Sequence, residues 1–566
     1  MPYRKIGILL AFLFLFAGIL HGQEAVLTLL PYNGDTLRYV DKQFIADTTA
    51  TGGLLANRVY EFKRDSVYLT HAIITIQAGK TLRLRATGTG TKKPIIYLWE
   101  SGTGATPTRP PGNFVVLNGG NLEMTNICIA GYYELEPDRV GGVQGGLVNT
   151  TAAGSSIILD GVVLSNINGQ HIRTGFNAVK VTAKNCVFAN MGALTTSNLG
   201  AGKGFDLREA AVDSFILENN TFVNYQDRAV RHYNFSNPLA GTGAIKYGRI
   251  VHNTFVNGMG YHGLLSLGNL GNMMIIADNL FVDGFALGED STDATRAAEW
   301  ANTGEVYLNG RNRITWIFTA PNDTTKWRIN NNWYSISDSG NAFLSSFNYP
   351  VGSPLSWHIN TKLQAQGGDS TKAFQRVMNF SLLKAPRLMT NMMRWYEDTV
   401  AGGLRQKVQT NFVLARDDFD RRRIEYYRDT LDASFSTSSA AYIGAEGGYP
   451  AGDLNWFPSA KSAWLSDPIS GIETERAIPM AFTLEQNYPN PFNPATKITY
   501  SVPQQSKVLL EVFDLLGRKV ATLVNDNRPA GTFTVEFDGS KLVTGLYIYR
   551  LSTPQQVFAK KMLLIK

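Results

Sequence analysis

The chain has 566 residues, 54 of them glycine, and a formal net charge of +7 at pH 7. This length exceeds one hydrophobic core and indicates about three folded units. Abundant Gly, Asn, Thr, Val, Ile and Phe favour many short strands over helices. No Lys/Arg cluster is interleaved with aromatic residues, so nucleic acid is not expected as a partner. A weakly basic surface suits an acidic polysaccharide through electrostatic steering.

Residues 1–22 have the pattern of a secretory signal peptide. Arg4 and Lys5 precede the apolar run 6–19, and Gly22 offers a small residue at a cleavage point. The run is short for a membrane helix, and no other stretch reaches about 18 apolar residues. We expect an exported mature chain, passing through the periplasm, with no transmembrane segment.

The two cysteines are Cys128 and Cys186. Both lie in apolar strand contexts of different repeats, and strand register decides whether they could meet. We expect separate buried thiols, with a disulfide as the alternative that an exported protein permits. Neither cysteine has the neighbouring ligands of a metal site.

A repeated pattern begins near Phe114. Alternating apolar residues lead to an Asn or small polar residue, then to an aromatic or aliphatic residue and another turn. The copies read NLEMTNICIAG, SIILDGVVLSN, VKVTAKNCVFAN, FILENNTFVNY, GRIVHNTFVNG, MMIIADNLFVDG and WRINNNWYSIS. Period-two alternation predicts strands, and parallel stacking of the copies buries one side of each. We predict an all-β chain built on a right-handed parallel β-helix, preferred to a β-propeller because no four-strand blade period occurs.

The frame of VKVTAK predicts which side chains point into the core. It places Val179 and Val181 inside and Lys184 outside. The same frame places Asp160, Lys184 and Glu218 outside on successive coils, about 4.8 Å apart. We expect a ladder of salt bridges there, with a contribution to a binding groove as the alternative.

The pattern divides the chain into five parts. These are a signal peptide at 1–22, a β-helix with an amino-terminal cap at 23–339, an irregular carboxy-terminal cap with short helices at 340–466, a linker at 467–481, and a small immunoglobulin-like β-sandwich at 482–566. Within the cap, Phe374, Val377 and Met378 at helical spacing predict a helix over 370–383.

The last domain contains LEQNYPNPFNPATKITYSVP at 484–503, VFDLLGRKVATLV at 512–524 and KKMLLIK at 560–566. It resembles the carboxy-terminal sorting domain of type IX secretion cargo. The resemblance implies export across the outer membrane, recognition by the type IX machinery through Lys560, Lys561 and the terminal strand, and then surface anchoring or release. It implies no catalysis. The alternative is a generic carbohydrate-binding sandwich.

The stretch NTFVNYQDRAVRHYN at 220–234 carries a second resemblance. Together with the β-helix pattern of pectin lyase-like proteins, it resembles polysaccharide lyase family 6, the chondroitinase B and alginate lyase group, over about residues 200–256. Asn220, Thr221 and Phe222 match that family's turn. Arg231 and His232 match the family's Arg-His pair.

Two departures from the family pattern are important. Arg208 stands where the family has its catalytic lysine, and Ala201, Gly202 and Lys203 stand where it has calcium-binding acids. Calcium needs several oxygen ligands, which these side chains cannot supply. No cofactor is therefore expected; calcium is the alternative, but it has no clear site.

The resemblance implies roles in β-elimination at a uronic acid. A cation stabilises the enolate that forms on the carboxylate, and a base removes the adjacent proton. Arg208 would be the base, Arg231 the carboxylate clamp and His232 a proton donor or positioning group. An arginine base is costly, because guanidinium has a reference pKa near 13 against about 10.4 for lysine.

Three further residues are substrate-binding candidates: Lys203, Asp206 and Arg228. Asp206 alternates with Arg208 and would orient it. The alternative assignment makes Arg208–Asp206 and Arg228–Asp227 surface ion pairs that contribute little.

Two functions remain open, and the sequence does not decide whether the protein is an enzyme. The first is a lyase or other protein acting on an acidic polysaccharide. The second is a non-catalytic glycan-binding protein, adhesin or surface structural protein. A deep groove lined by the candidate cations favours the first, whereas their coverage by loops favours the second. Glycoside hydrolysis ranks last, because no pair of facing carboxylates stands out.

Overall fold

The computed structural model describes most of the chain. The described residues are 24–100, 111–131, 146–192, 197–198, 202–232, 243–260, 263–286, 317–318, 324–347, 351, 354–386, 388, 400, 408–409, 431–466, 482–502, 506–528 and 531–566. The predicted signal peptide at 1–22, Ala201 and the predicted linker at 467–481 lie outside these ranges.

Three long sheets, named A, B and C here, have ten, ten and eight strands. Successive strands of the chain enter A, then B, then C, and neighbouring coils pair in parallel. One coil, for example, is Ser155–Asp160 in A, Val163–Ile167 in B and Gln170–Thr174 in C. The protein therefore contains a parallel β-helix.

The strands are short and regularly spaced. Sheet A contains Ala25–Thr28, Arg58–Lys63, Thr81–Thr87, Asn121–Thr125, Ser155–Asp160, Ala178–Lys184, Val212–Glu218, Ile245–Val251, Leu270–Ala277 and Lys326–Asn330. Sheet B contains Val67–Thr70, Ile95–Leu98, Cys128–Ala130, Val163–Ile167, Val187–Met191, Thr221–Tyr225, Thr254–Gly260, Leu280–Ala286, Asn332–Ser335 and Phe374–Arg376. Sheet C contains Ile74–Gln77, Val115–Asn118, Gly146–Ala152, Gln170–Thr174, Lys203–Arg208, Arg228–His232, Leu265–Leu267 and Ile317–Phe318.

From Asn126 onward, a residue with positive φ turns the chain from sheet A into sheet B on seven successive coils. Asn, Asp, His and Gly tolerate this conformation better than other residues. We call these residues the AB turn column; they are Asn126, Gly161, Asn185, Asn219, His252, Asp278 and Asn331.

A buried asparagine follows the turn column on four coils. Asn220 Nδ2 donates to Asn253 Oδ1 over 2.9 Å, and Asn253 Nδ2 donates to Asn279 Oδ1 over 3.0 Å. Asn279 Nδ2 donates in turn to Asn332 Oδ1 over 2.8 Å. Each coil thus satisfies the buried amide of its neighbour, which fixes the register of the stack.

Aromatic rings also stack along the interior. Phe188, Phe222, Phe255 and Phe281 lie face to face, with successive ring centroids 4.7, 5.0 and 4.6 Å apart. These separations match the spacing of neighbouring strands, because identical positions repeat on each coil. All four rings belong to the continuous inner hydrophobic cluster.

Helices pack at both ends of the inner cluster. Helix Val40–Ala50 places Val40 in it and packs Phe44 against it. The helices after sheet A's last strand are Asp338–Ser346, Trp357–Ala365 and Ser370–Ala373, and they contribute further buried residues to the same cluster.

The helix predicted over 370–383 is shorter than expected. It ends at Ala373, and strand Phe374–Arg376 pairs in parallel with Asn332–Tyr334 at the edge of sheet B. The unpaired backbone groups of that edge bind the segment as a strand, which overrides its helical spacing.

Residues 431–466 pack on the outer face of sheet B. Leu431, Ala433, Phe435 and Trp456 form an outer hydrophobic cluster with strand residues that include Val223. We call residues 431–466 the return segment. Its regular elements are strand Asp432–Phe435, the 3-10 turns Ala440–Ile443, Glu446–Gly448 and Leu454–Trp456, and helix Pro458–Ser466.

Some short elements lie outside the three sheets. They are the 3-10 turn Thr36–Arg38, the antiparallel pair Ser197–Asn198 with Val408–Gln409, and strand Leu382–Lys384, which pairs with the strand of the return segment.

The carboxy-terminal residues form an antiparallel β-sandwich with its own hydrophobic cluster. Its sheets have three and four strands. The strands are Thr483–Leu484, Ala495–Val502 and Gly531–Asp538 in one sheet, and Ser506–Phe513, Lys519–Arg528, Gly545–Ser552 and Val557–Leu564 in the other.

The structure corrects one inward-facing prediction. Val179 is 39% exposed, because Ser155 pairs with Ala178 while Ser156 pairs with Lys180, which leaves Val179 as an extra residue in a bulge. Val181 is buried in the inner cluster, as predicted.

The predicted ladder on sheet A forms between two of its three members. Lys184 Nζ lies 3.0 Å from Glu218 Oε1. Asp160 instead accepts a hydrogen bond from Asn185 Nδ2 over 2.7 Å.

The two cysteines are separate buried thiols. Cys128 belongs to the outer cluster and Cys186 to the inner one, so their side chains lie on opposite faces of sheet B. Within the described ranges, no helix is both long enough and apolar enough to cross a membrane.

Candidate functional site

The six candidate residues lie on two neighbouring strands of sheet C, Lys203–Arg208 and Arg228–His232. Parallel pairing aligns Lys203 with Arg228, Asp206 with Arg231, and Arg208 with His232. The fold therefore brings all of them together, as equivalent positions of successive coils.

Asp206 holds Arg231 in place. Arg231 Nη1 donates to Asp206 Oδ1 over 3.0 Å, and both side chains are almost fully buried. Arg173 on the preceding coil approaches the other oxygen, with Nε 3.9 Å from Oδ2. The prediction that Asp206 orients Arg208 is wrong in this respect, because the pleat directs Asp206 toward its cross-strand partner Arg231.

Asp227 joins the other two cations. Lys203 Nζ lies 3.0 Å from Asp227 Oδ2, and Arg228 Nε donates to the same oxygen over 2.8 Å. Arg228 Nη1 also donates to Ser266 Oγ over 3.2 Å. Arg228–Asp227 is thus a buried pair rather than the surface pair considered above. Burial lowers the pKa of Lys203, and the Asp227 carboxylate opposes that shift.

His232 is buried and neutral at physiological pH. Burial lowers its pKa to about 4. Its Nε2 lies 2.9 Å from the carbonyl oxygen of Ala210, an acceptor, which assigns the ring proton to Nε2. This contact fixes the ring, an arrangement suited to positioning rather than to donating a proton to a ligand.

Arg208 differs from the other candidates in exposure and in backbone geometry. Its side chain is 34% exposed, and Nε lies 3.6 Å from Glu209 Oε2. Its φ is 50°, and it is the one described positive-φ residue that is not Gly, Asn, Asp or His. A long side chain in this conformation is strained by about 1–3 kcal/mol, a cost that often marks functional positions.

The cluster can therefore offer only part of its charge to a ligand. Lys203, Arg228 and Arg231 are held by buried carboxylates, whereas Arg208 and Arg173 reach the surface. We call this cluster, with Arg173, the basic edge; it lies at the outer face of sheet C. Its buried ion pairs fix the backbone that carries the two partly exposed arginines, Arg173 and Arg208.

The Asn-Thr-Phe turn has structural roles in this protein. Asn220 belongs to the asparagine ladder and Phe222 to the phenylalanine stack. Thr221 Oγ1 donates to Asp453 Oδ2 over 2.7 Å and accepts from Trp456 Nε1 over 2.9 Å. That half of the resemblance follows from coil geometry, because the same turn recurs one coil later at 253–255.

The described residues include no group of three or more His, Cys, Asp or Glu side chains placed to hold a metal ion. Gly202 and Lys203, two of the three positions where calcium ligands were considered, are both buried. Lys203 is already engaged by Asp227.

Sequence reasoning missed a second polar region, where the return segment meets the AB turn column. Asp453, Asn455 and Lys461 lie there beside Asn185 and the half-buried Lys93. The available signal was the run Asp453, Asn455 and Trp456 within the predicted irregular cap, but contacts between residues more than 200 positions apart cannot be read from spacing.

Comparison with known proteins assigns the carboxy-terminal domain. Residues 486–566 match the family described as the secretion system C-terminal sorting domain. No curated protein matches the chain. The carboxy-terminal β-sandwich is thus a type IX sorting domain, and the protein is exported and becomes secreted or displayed at the outer cell surface.

Proposed function

We propose that the exported β-helix binds an acidic polysaccharide along the outer face of sheet C, without catalysis. The observation that carries this proposal is Arg208, a partly exposed guanidinium held in a strained backbone conformation beside a buried ionic cluster. Strain at a partly exposed cation costs stability, and it is consistent with selection for binding.

The surrounding charges support a binding role. Arg173 lies one coil before Arg208 and aligns with Asp206, so the two arginines are offset by two residues along the strand. Their planar guanidinium groups suit bidentate contacts with carboxylates or sulfates. No metal ion is part of the proposal, so binding should be insensitive to a chelator.

Burial of the other candidates supports binding over elimination. A carboxylate clamp must reach the substrate, but Arg231 is about 4% exposed and already donates to Asp206. A proton donor must be protonated, but the pKa of His232 is about 4. Both groups are better suited to holding the edge in shape.

β-Elimination at a uronic acid is the second candidate function. It is favoured by the alignment of Arg208 with His232 and by the position of Arg231 on the same strand. Arg208 would then have to act as the base, against a reference pKa near 13.

One experiment separates the two functions. The mature full-length protein is titrated with polygalacturonate, alginate and chondroitin sulfate, with and without chelator, while ultraviolet absorbance of an unsaturated uronate product is followed. Saturable binding without new absorbance supports the binding protein. New absorbance that Arg208→Ala abolishes supports the lyase.

The matched control is Arg83→Ala, because Arg83 is comparably exposed but lies on sheet A. The proposal requires Arg208→Ala to weaken binding and Arg83→Ala to leave it unchanged. No binding to any of the three polymers would refute both candidate functions.

A further inference from the structure

A polar pocket of about 380 Å³ opens between the AB turn column and the return segment. This volume lies within the range of small-molecule sites. Its lining residues all belong to described parts of the chain, and the ones that carry charge or amide groups are Lys93, Asn126, Asp160, Asn185, Asp453, Asn455 and Lys461.

On the later coils, the return segment packs along the AB turn column and donates hydrogen bonds to its residues. Gly452 N donates to Asp278 O over 2.7 Å, and Leu454 N donates to Asn219 Oδ1 over 3.2 Å. Lys461 Nζ then donates to Asn185 Oδ1 over 2.6 Å. Polar groups of the segment thus satisfy the column coil by coil.

This docking stops at Asn185. The next two members of the column, Gly161 and Asn126, receive no hydrogen bond from the return segment among the described residues. Gly161 also leaves space for its neighbour, since a Cβ there would lie 2.3 Å from Asn126 Oδ1. The pocket therefore lies beside Gly161 and Asn126, the part of the AB turn column that the return segment does not bind.

Polar groups face this space with capacity left for a ligand. Within the described ranges, Lys93 makes no ion pair, and the side-chain amide of Asn126 makes no hydrogen bond. Asp160 accepts from Asn185 through Oδ1, which leaves Oδ2 available. Lys461 uses two of its three ammonium donors, on Asn185 and Asn455.

We infer that this pocket binds a small, hydroxyl-rich carboxylate such as a monosaccharide uronate, with Lys93 contacting the carboxylate and Asn126 and Asp160 contacting hydroxyl groups. A cation, an amide and a carboxylate together provide both donors and acceptors, as a sugar acid requires. The site lies at the edge of sheet B, away from the basic edge of sheet C, and does not rest on the proposed function.

The state of Lys93 is consistent with this inference. Burial lowers its pKa, and a bound carboxylate would oppose that shift. Burial likewise lowers the pKa of Lys461, where the carboxylate of Asp453 opposes the shift.

The test is calorimetric titration of the full-length protein with galacturonate and glucuronate, with galactose and acetate as probes of each half of the ligand. We expect saturable binding of at least one uronate. The affinities for galactose and acetate should be lower than that for the uronate by about ten-fold or more. Lys93→Met should weaken uronate binding by at least about ten-fold, with thermal stability retained.

Lys180→Met is the matched control, because Lys180 is a partly exposed lysine on sheet A outside the pocket. It should leave binding unchanged. Asn126→Ala gives a second, independent variant that should also weaken binding. Absence of saturable uronate binding, equal binding of acetate, or full binding by Lys93→Met would overturn the inference.

Each substitution should weaken binding at its own site only. Arg208→Ala should leave the monosaccharide titration unchanged, whereas Lys93→Met should leave polymer binding to sheet C unchanged. Loss of both activities in either single variant would contradict the assignment of two independent sites.

Discussion

Arg231 donates to Asp206 over 3.0 Å across two coils of sheet C, and both side chains are almost completely buried. This pair links the two neighbouring strands that carry the candidate residues, Lys203–Arg208 and Arg228–His232. A buried ion pair contributes little net stability, but removing one partner leaves an uncompensated charge. The pair therefore fixes the geometry of the basic edge more than it strengthens the fold.

Asp206→Asn should lower the free energy of unfolding by about 3 kcal/mol. This value is at the low end for a broken buried pair, because Glu209 Oε1 also lies 3.8 Å from Arg231 Nη2. Denaturant unfolding measures the change. Asp213→Asn is the control, since Asp213 pairs with the exposed Lys246 and its loss should cost less than about 1 kcal/mol. Equal effects of the two variants would contradict this account.

Arg208→Gly should raise the free energy of unfolding by about 1 kcal/mol while it weakens polysaccharide binding. Glycine adopts a φ of 50° without the strain that arginine carries there. The lost contact with Glu209 is half-exposed and contributes little. Thermal unfolding and polymer titration measure the two effects.

Arg83→Gly provides the comparison, because Arg83 lies within the extended strand Thr81–Thr87. Glycine in an extended strand increases the entropy lost on folding, so this variant should be less stable than the wild type. If both glycine variants were destabilised alike, the backbone of Arg208 would not be strained.

Asp453 should make stability depend on pH. Burial raises its pKa to about 6, against about 3.9 in an unfolded chain. The native state therefore holds the proton more tightly, so this group destabilises the protein increasingly as the pH rises from about 4 through 6. The difference amounts to about 3 kcal/mol at neutral pH.

Asp453→Asn should remove this dependence, so the variant's stability relative to wild type should increase between about pH 4 and pH 7. Denaturant unfolding at several pH values measures it. Ser462→Ala, in the same segment, removes a hydroxyl group that does not titrate and should show a difference that is constant with pH. A pH-independent difference for Asp453→Asn would refute the prediction.

Asn253→Ala should destabilise the β-helix by about 2–4 kcal/mol. Its amide donates to Leu217 O and Asn279 Oδ1, and its oxygen accepts from Asn220, so truncation leaves several buried polar groups without partners. Thermal unfolding checks the value. Asn118→Ala, which breaks an exposed contact with Gln77, should change stability by less than about 0.5 kcal/mol.

The repeat pattern by itself determined the architecture. Alternating apolar residues define strands, and a left-handed turn residue such as Asn219 defines where each coil bends, since both signals are local. The buried amides and stacked rings follow from repetition of those local units. The sorting domain was equally evident, because its motifs are contiguous in sequence and the family match covers residues 486–566.

Tertiary structure alone decided which charges can meet a ligand. Lys203, Arg231 and Arg208 looked alike in the sequence, yet the first two are buried by their partners and the third is partly exposed. The return segment docks Lys461 beside Asn185, 276 residues earlier in the chain. Burial and long-range pairing depend on the whole fold, because they arise from segments whose separation leaves no trace in local periodicity.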